Sequence, residues 1–123
     1  MDTTSVWRAT APESGFALLQ GDVSTDALII GGGITGITLA LLLAGHGRSV
    51  VLLEGQSIGS GSTGNSTGNL YETLSHGMHA ISKQWGDDVA RQVVAQRRAA
   101  VDFIESHATP ADCAFRRCTL HLY

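Results

Sequence analysis

At 123 residues the chain is long enough for one domain, and its composition, 43% hydrophobic and 15% charged, is that of a globular protein. Eleven acidic residues against eight scattered basic ones leave a formal net charge of −3, which argues against a nucleic-acid binder or a binder of anionic membranes. Two cysteines in so mixed a chain suit a reducing, cytoplasmic setting rather than a disulfide scaffold.

Residues 1–25 read as an extended lead-in. An early acid, Asp2, and the lack of an apolar run before Thr10 give no secretory signal pattern. Ala9-Thr10-Ala11-Pro12 and then Gly15, Gly21 and Asp22 punctuate the approach to the first apolar run. Trp7 is expected to pack against the body of the protein.

The stretch Asp26 to Glu54 organises the rest. Ala27 to Ile30 is a short apolar run with a β-branched pair, and Gly31, Gly33 and Gly36 then spell G-x-G-x-x-G. An uncharged helical run follows to about Ala44, and Val50 to Leu53 is a second apolar run closed by Glu54. Strand, glycine turn, helix and strand is the context that a dinucleotide-binding fingerprint requires. Gly31 allows a sharp exit from the strand, and Gly33 removes a side chain that would keep a pyrophosphate off the backbone. Gly36 lets helix and strands approach closely, and Ala40 one turn later keeps them close. The helix N-terminus offers unpaired N–H groups and a partial positive charge to phosphates. Glu54 stands about 20 residues past the glycines, where a carboxylate accepts from both ribose hydroxyls and repels a 2′-phosphate. Ala27 to Gly45 is uncharged and long enough to span a bilayer, but its five glycines make a poor spanning helix, so no membrane span is expected.

Residues 55–70, GQSIGSGSTGNSTGNL, have the composition of a flexible linker. Their position directly after the strand-end acid, at the carboxyl ends of the strands, favours a second phosphate-side loop that runs into a short helix.

Residues 70–107 read as helical, with Leu74, Met78 and Ile81 on one face and a break near Trp85-Gly86. Asp87 and Asp88 open a longer helix with negative charge at its positive end. Val89, Val93, Val94, Arg97, Val101 and Ile104 set one face, with Phe103 near its edge. It should stop around His107, before Thr109-Pro110. Arg97-Arg98 reads as solvated rather than anion-gripping. His76 and His79, at i and i+3 with Glu72 one turn earlier, lack a further ligand at metal spacing, so no metal site is expected. Residues 113–123, CAFRRCTLHLY, read as an extended segment or hairpin, with Leu120 and Leu122 alternating with Thr119, His121 and Tyr123. Cys118 and His121 spell C-x-x-H, half of a Rieske pattern whose C-x-H partner is absent from the chain. They are expected to be sheet residues.

The run IIGGGITGITLALLLAGHGRSVVLLEGQSIGSGSTGNSTG resembles the N-terminus of the D-amino-acid-oxidase-like superfamily of FAD-dependent oxidoreductases. Gly59 to Gly68 matches that family's G-x-G-x-S/T-x-x-x-x-G segment. Val6 to Pro12 and Gly31 to Gly36 are similar to a bacterial subgroup that often carries a C-terminal Rieske domain. The resemblance implies an α/β fold: the N-terminal part of a Rossmann-type FAD-binding domain over residues 26–112, and the first strand or strands of a substrate-domain antiparallel sheet over 113–123. Only two strands of the required open sheet are evident, so the fold is expected to be incomplete and the chain to be the N-terminal piece of a longer protein.

By the same resemblance, Gly31, Gly33 and Gly36 with Ile34 and Thr35 hold the FAD pyrophosphate. Glu54 binds the adenosine ribose, with Gln56 close beside it. Ser62 and Thr63 contact pyrophosphate or ribityl oxygens, and Ser66, Thr67 and Gly68 approach the flavin. Some relatives attach FAD covalently through a histidine, but Asn65 stands in its place here, which implies non-covalent FAD. The implied reaction is hydride removal from an amine or amino-acid-like substrate, with the electron acceptor and the catalytic residues unassigned. Any Rieske 2Fe-2S centre would lie beyond residue 123. Two other readings remain open: a segment of an NAD-dependent dehydrogenase, and a non-catalytic βαβ interaction module.

Overall fold

A computed structural model describes residues 4–11, 15–71, 77–108, 113 and 115–119. The chain divides into two compact units, Met1–Thr67 and Gly68–Tyr123.

The first unit opens with a helix, α1 (Val6–Thr10), where the sequence suggests an extended lead-in. Ser5 is its N-cap: the hydroxyl accepts from the Arg8 amide at 3.3 Å, meeting one of the donors that a first turn leaves unpaired. So short a helix does not stand on local propensity. Its remaining support is tertiary and comes from the loop around Gly64 to Ser66.

Strands β1 (Ala27–Ile30) and β2 (Val50–Leu53) and helix α2 (Ile34–Gly45) form the expected strand–helix–strand unit. The strands pair in parallel, with Ala27 opposite Val50 and Ile30 opposite Leu53. Parallel neighbours need a crossover, and α2 supplies it. Alternation along β1 turns Ile29 toward α2, where it is 8% exposed, while Leu28 and Ile30 on the other face stay open to solvent. Gly36 of α2 lies over Ile29: a Cβ there would come within 3.3 Å of Ile29 Cγ2 and far inside van der Waals contact of the Gly31 carbonyl.

α2 ends because Gly47 turns left-handed, at φ +73°. The Gly47 amide then donates to Ala44 O at 2.9 Å and the Arg48 amide to Leu43 O at 3.0 Å, the paired bonds of a Schellman stop. Below the turn, Asp26 Oδ2 accepts from the Ser49 amide at 2.9 Å and the Thr25 hydroxyl donates to Ser49 O at 2.8 Å, fixing the register at the start of both strands.

The second unit contains α3 (Gly77–Trp85) and α4 (Asp87–Ala108), broken at Gly86 where the sequence places the break. Asp87 and Asp88 occupy the first turn of α4, and the helix runs one residue past His107. Ile81, 7% exposed, is the buried centre of the α3–α4 packing. Val93, Val94, Val101 and Ile104 are half-buried along α4, as the periodicity requires, whereas Val89 is exposed. Arg97 is half-buried, and beyond the solvated face expected for it, its Nη2 and Nε donate to Tyr71 O at 2.9 and 3.2 Å. Residues 115–119 form no strand. Arg117 instead reaches back to α4 and pairs with Asp102 and Glu105, and these two carboxylates hold its guanidinium still more firmly protonated. Leu120 to Tyr123, with most of the alternation, and Leu74 and His76 lie outside the described residues.

Candidate functional site

Gly31 makes the site possible. Its φ of +106° is closed to L side chains, and it turns the chain out of β1 while its amide still donates to Leu53 O at 2.8 Å, extending the ladder by one bond. The chain then enters α2 with Gly33 as the cap residue, which has no side chain to meet the helix's open donors. Of those donors, the Ile34 amide binds the Thr63 hydroxyl at 2.9 Å. Among the described residues, the amides of Gly33, Thr35 and Gly36 have no acceptor. Three N–H groups at a helix N-terminus, with the partial positive charge of the helix behind them, give this mouth the chemistry that suits an anion.

Glu54 leaves the end of β2 pointing back to this turn. Its Oε2 accepts from the Gly32 amide at 2.6 Å and its Oε1 from the Gln56 amide at 2.9 Å. Chiefly the Gly32 bond, then the Gln56 bond, hold its carboxyl below the usual carboxylate range, so the group is charged at neutral pH. The acid therefore faces the glycine turn and ties it down through the Gly32 amide.

Residues 59–66 close the other side. The Gly59 amide donates to Gly32 O at 2.9 Å, tying the second loop to the first. Thr63–Asn65 form one turn of 3₁₀ helix, with the Asn65 side-chain amide donating to Gly61 O at 3.0 Å. The segment is thus an ordered loop rather than a free linker. Between the loops lies an open groove of about 660 Å³, within the usual range for small-molecule sites. Gly31, Gly33, Ile34, Thr35, Gly36, Glu54, Gln56, Ser62 and Thr63 line it, together with Ile29, Ile30, Leu39 and Gly59 to Gly61.

The remaining sequence candidates, Ser66, Thr67 and Gly68, do not line the groove. Sequence reasoning missed Gly32, whose amide is the partner of Glu54, and Ile58, whose Cδ1 a Cβ at Gly32 would strike. The signal for Gly32 was its place in the middle of three consecutive glycines, of which the motif accounts only for the outer two. Among the described residues, no three His, Cys, Asp or Glu side chains come together as a metal site. Nor is any helix among them long and apolar enough to cross a membrane.

Comparison with known proteins points the same way. A family model described as FAD-dependent oxidoreductase matches residues 26–123. The chain is 37% identical over 92 residues to gamma-glutamylputrescine oxidoreductase of Escherichia coli, covering 74% of this chain and 22% of that protein. It is 32% identical over 121 residues to a Bacillus subtilis protein provisionally named as a Rieske 2Fe-2S iron–sulfur protein, covering 95% of this chain and 23% of the relative. It is 38% identical over 87 residues to alpha-glycerophosphate oxidase of Streptococcus pneumoniae, covering 71% and 13%. The chain therefore spans less than a quarter of the length of these relatives. No solved structure gives a significant match.

Proposed function

The chain belongs to the FAD-dependent oxidoreductase family, and on that basis we propose that its groove holds the dinucleotide of a non-covalent FAD in an oxidase or dehydrogenase of small amines. One observation carries the reading: the acceptor-free amides of Gly33, Thr35 and Gly36 open onto the same groove as the charged Glu54.

The donor set fits the group. Backbone amides, a helix N-terminus and the Ser62 and Thr63 hydroxyls suit a pyrophosphate that must be approached closely. A carboxylate at the tip of the neighbouring strand suits two ribose hydroxyls, with Gln56 beside it. Bound FAD supplies the hydride acceptor that no side chain can provide. The chain's own contribution here is to bind and orient the cofactor. Gly31 aims the helix mouth, Thr63 sets the distance between the loops, and Glu54 fixes the sugar. Asn65 has an amide already engaged with Gly61 O, a group that forms no covalent flavin link.

The two strands and α2 are read as the first βαβ unit of a Rossmann-type domain, and the groups that touch substrate as lying outside residues 1–123. An amine-bearing substrate is favoured because the relative named gamma-glutamylputrescine oxidoreductase shares 37% identity over 92 residues. By the relative named for a Rieske centre, an iron–sulfur domain would also lie outside these residues. The exposed thiols Cys113 and Cys118 suit a reducing cytoplasm.

The test is to purify the full-length protein and record its absorption spectrum, then precipitate it with acid. The expected result is a yellow protein whose flavin passes into the supernatant and, before precipitation, bleaches anaerobically with an amine substrate. A colourless folded protein that takes up NADH would replace FAD by NAD. Bleaching by glycerol phosphate and by no amine would replace the substrate class.

A further inference from the structure

Helix α1 and its N-cap make their long-range polar contacts with the loop that carries Thr63. The Ser5 hydroxyl donates to the Gly64 carbonyl, and the Trp7 indole N–H donates to Ser66 O at 2.7 Å. We propose that Ser5 and Trp7 are positioning residues for the cofactor, clamping the 62–66 loop from behind so that Thr63 is presented to the mouth of α2.

The order of elements supports this. On its front side the loop meets α2 through the Thr63 hydroxyl and the Ile34 amide. The loop's own bonds are short in range: Gly64 N to Gly59 O, Ser66 N to Thr63 O and Asn65 Nδ2 to Gly61 O. On its rear side, the carbonyls of Gly64 and Ser66 receive their donors from α1, across 59 residues of sequence in both cases. The layers fit closely: Gly64 is buried, and a Cβ there would run into Gly59 O and stand 3.4 Å from Arg8 Cγ. Trp7 remains 46% exposed, so its indole N–H, rather than burial of its ring, is what ties it to the loop. A Gly/Ser-rich loop loses much backbone freedom on ordering, and a clamp that orders it in advance raises affinity for whatever it contacts.

The proposal rests on the FAD reading, and the experiment separates the two. Trp7→Phe keeps a ring and removes the donor; Ser5→Ala removes the hydroxyl and Ser5→Thr keeps it. In the full-length protein, the FAD dissociation constant is measured by quenching of flavin fluorescence. Amide hydrogen exchange at 62–66 is measured in the FAD-free protein. Trp7→Phe and Ser5→Ala should each raise the dissociation constant about fivefold, the effect of one hydrogen bond. Both should speed exchange at 62–66, and Ser5→Thr should restore both readouts. If the unmodified protein takes up no FAD, the cofactor reading fails and the clamp's cofactor role with it. If the unmodified protein binds FAD and the variants bind equally well, the clamp alone is overturned. Weakened binding that Ser5→Thr fails to rescue, with exchange at 62–66 unchanged, also overturns it.

Discussion

Replacing Gly36 with alanine tests the geometry on which the site depends. A Cβ at this position meets the Gly31 carbonyl so closely that one of them must retreat by more than an ångström, and it also presses on Ile29 Cγ2 at 3.3 Å. The carbonyl has little room to yield, because the Gly31 amide is bonded to Leu53 O and its φ of +106° defines the turn. Overpacking of this kind costs about 1–3 kcal/mol, and the better helix propensity of alanine returns up to about 1 kcal/mol. A neighbour that is backbone places the net loss near 2 kcal/mol, a fall in the melting temperature of about 8–16 °C for a domain of this size. Gly45→Ala is the matched control: it lies in the same helix, nothing lies within 4 Å of its Cβ position, and its φ is not left-handed. That change should stabilise by about 0.5 kcal/mol. The assay is thermal unfolding of both variants beside the unmodified protein, with FAD titration of each. Gly36→Ala should lower both stability and FAD affinity. Equal stability of the two variants would show that α2 does not sit on the Gly31 turn as described.

Glu54→Gln keeps an acceptor for only one of the Gly32 and Gln56 amides and turns an NH2 group on the other, and it should weaken FAD binding about tenfold, read by fluorescence titration. Because folding lowers the Glu54 pKa, its stabilisation is fully present above the unfolded-state value and is lost as pH falls through the folded-state value. The unmodified protein should therefore lose stability on acidification in a window that Glu54→Gln lacks, as measured by unfolding at stepped pH. Thr63→Val strips the acceptor from the Ile34 amide and should cost about 1 kcal/mol in denaturant unfolding, while Thr63→Ser should cost much less. Ile81→Ala opens a cavity at the α3–α4 contact and should destabilise the second unit by about 2–3 kcal/mol, seen as faster amide exchange in both helices.

What the sequence disclosed follows the range of the interactions that set each feature. β1, α2 and β2 were legible because apolar runs and the Gly31 turn are local signals, each decided within a few residues. The same holds for the α3–α4 break at Gly86 and the acidic first turn of α4. α1 was not legible as a helix: five residues carry no periodicity, and its supports lie 59 positions away at Gly64 and Ser66. Arg97 looked like a surface cation because its partner is a backbone carbonyl at Tyr71, which no side-chain pattern announces. The strand expected at 113–123 rested on alternation and on the family resemblance, and Leu120 to Tyr123, with most of that alternation, lie outside the described residues. Within 115–119, Arg117 pairs with the acidic face of α4, a long-range contact that alternation does not announce. At the site, residue types identified the glycine turn and the strand-end acid. The Glu54–Gly32 bond needed coordinates, because it depends on a carboxylate folding back across the gap between two strand ends.

The central claim is that the open amides at the start of α2, together with Glu54, receive the dinucleotide. The most direct measurement is the amide spectrum of isotopically labelled full-length protein titrated with FAD. Saturable shifts are expected at Gly33, Thr35 and Gly36, accompanied by Gly32 as its bond to Glu54 readjusts. Saturable FAD binding that leaves these four amides unmoved and shifts others would contradict it.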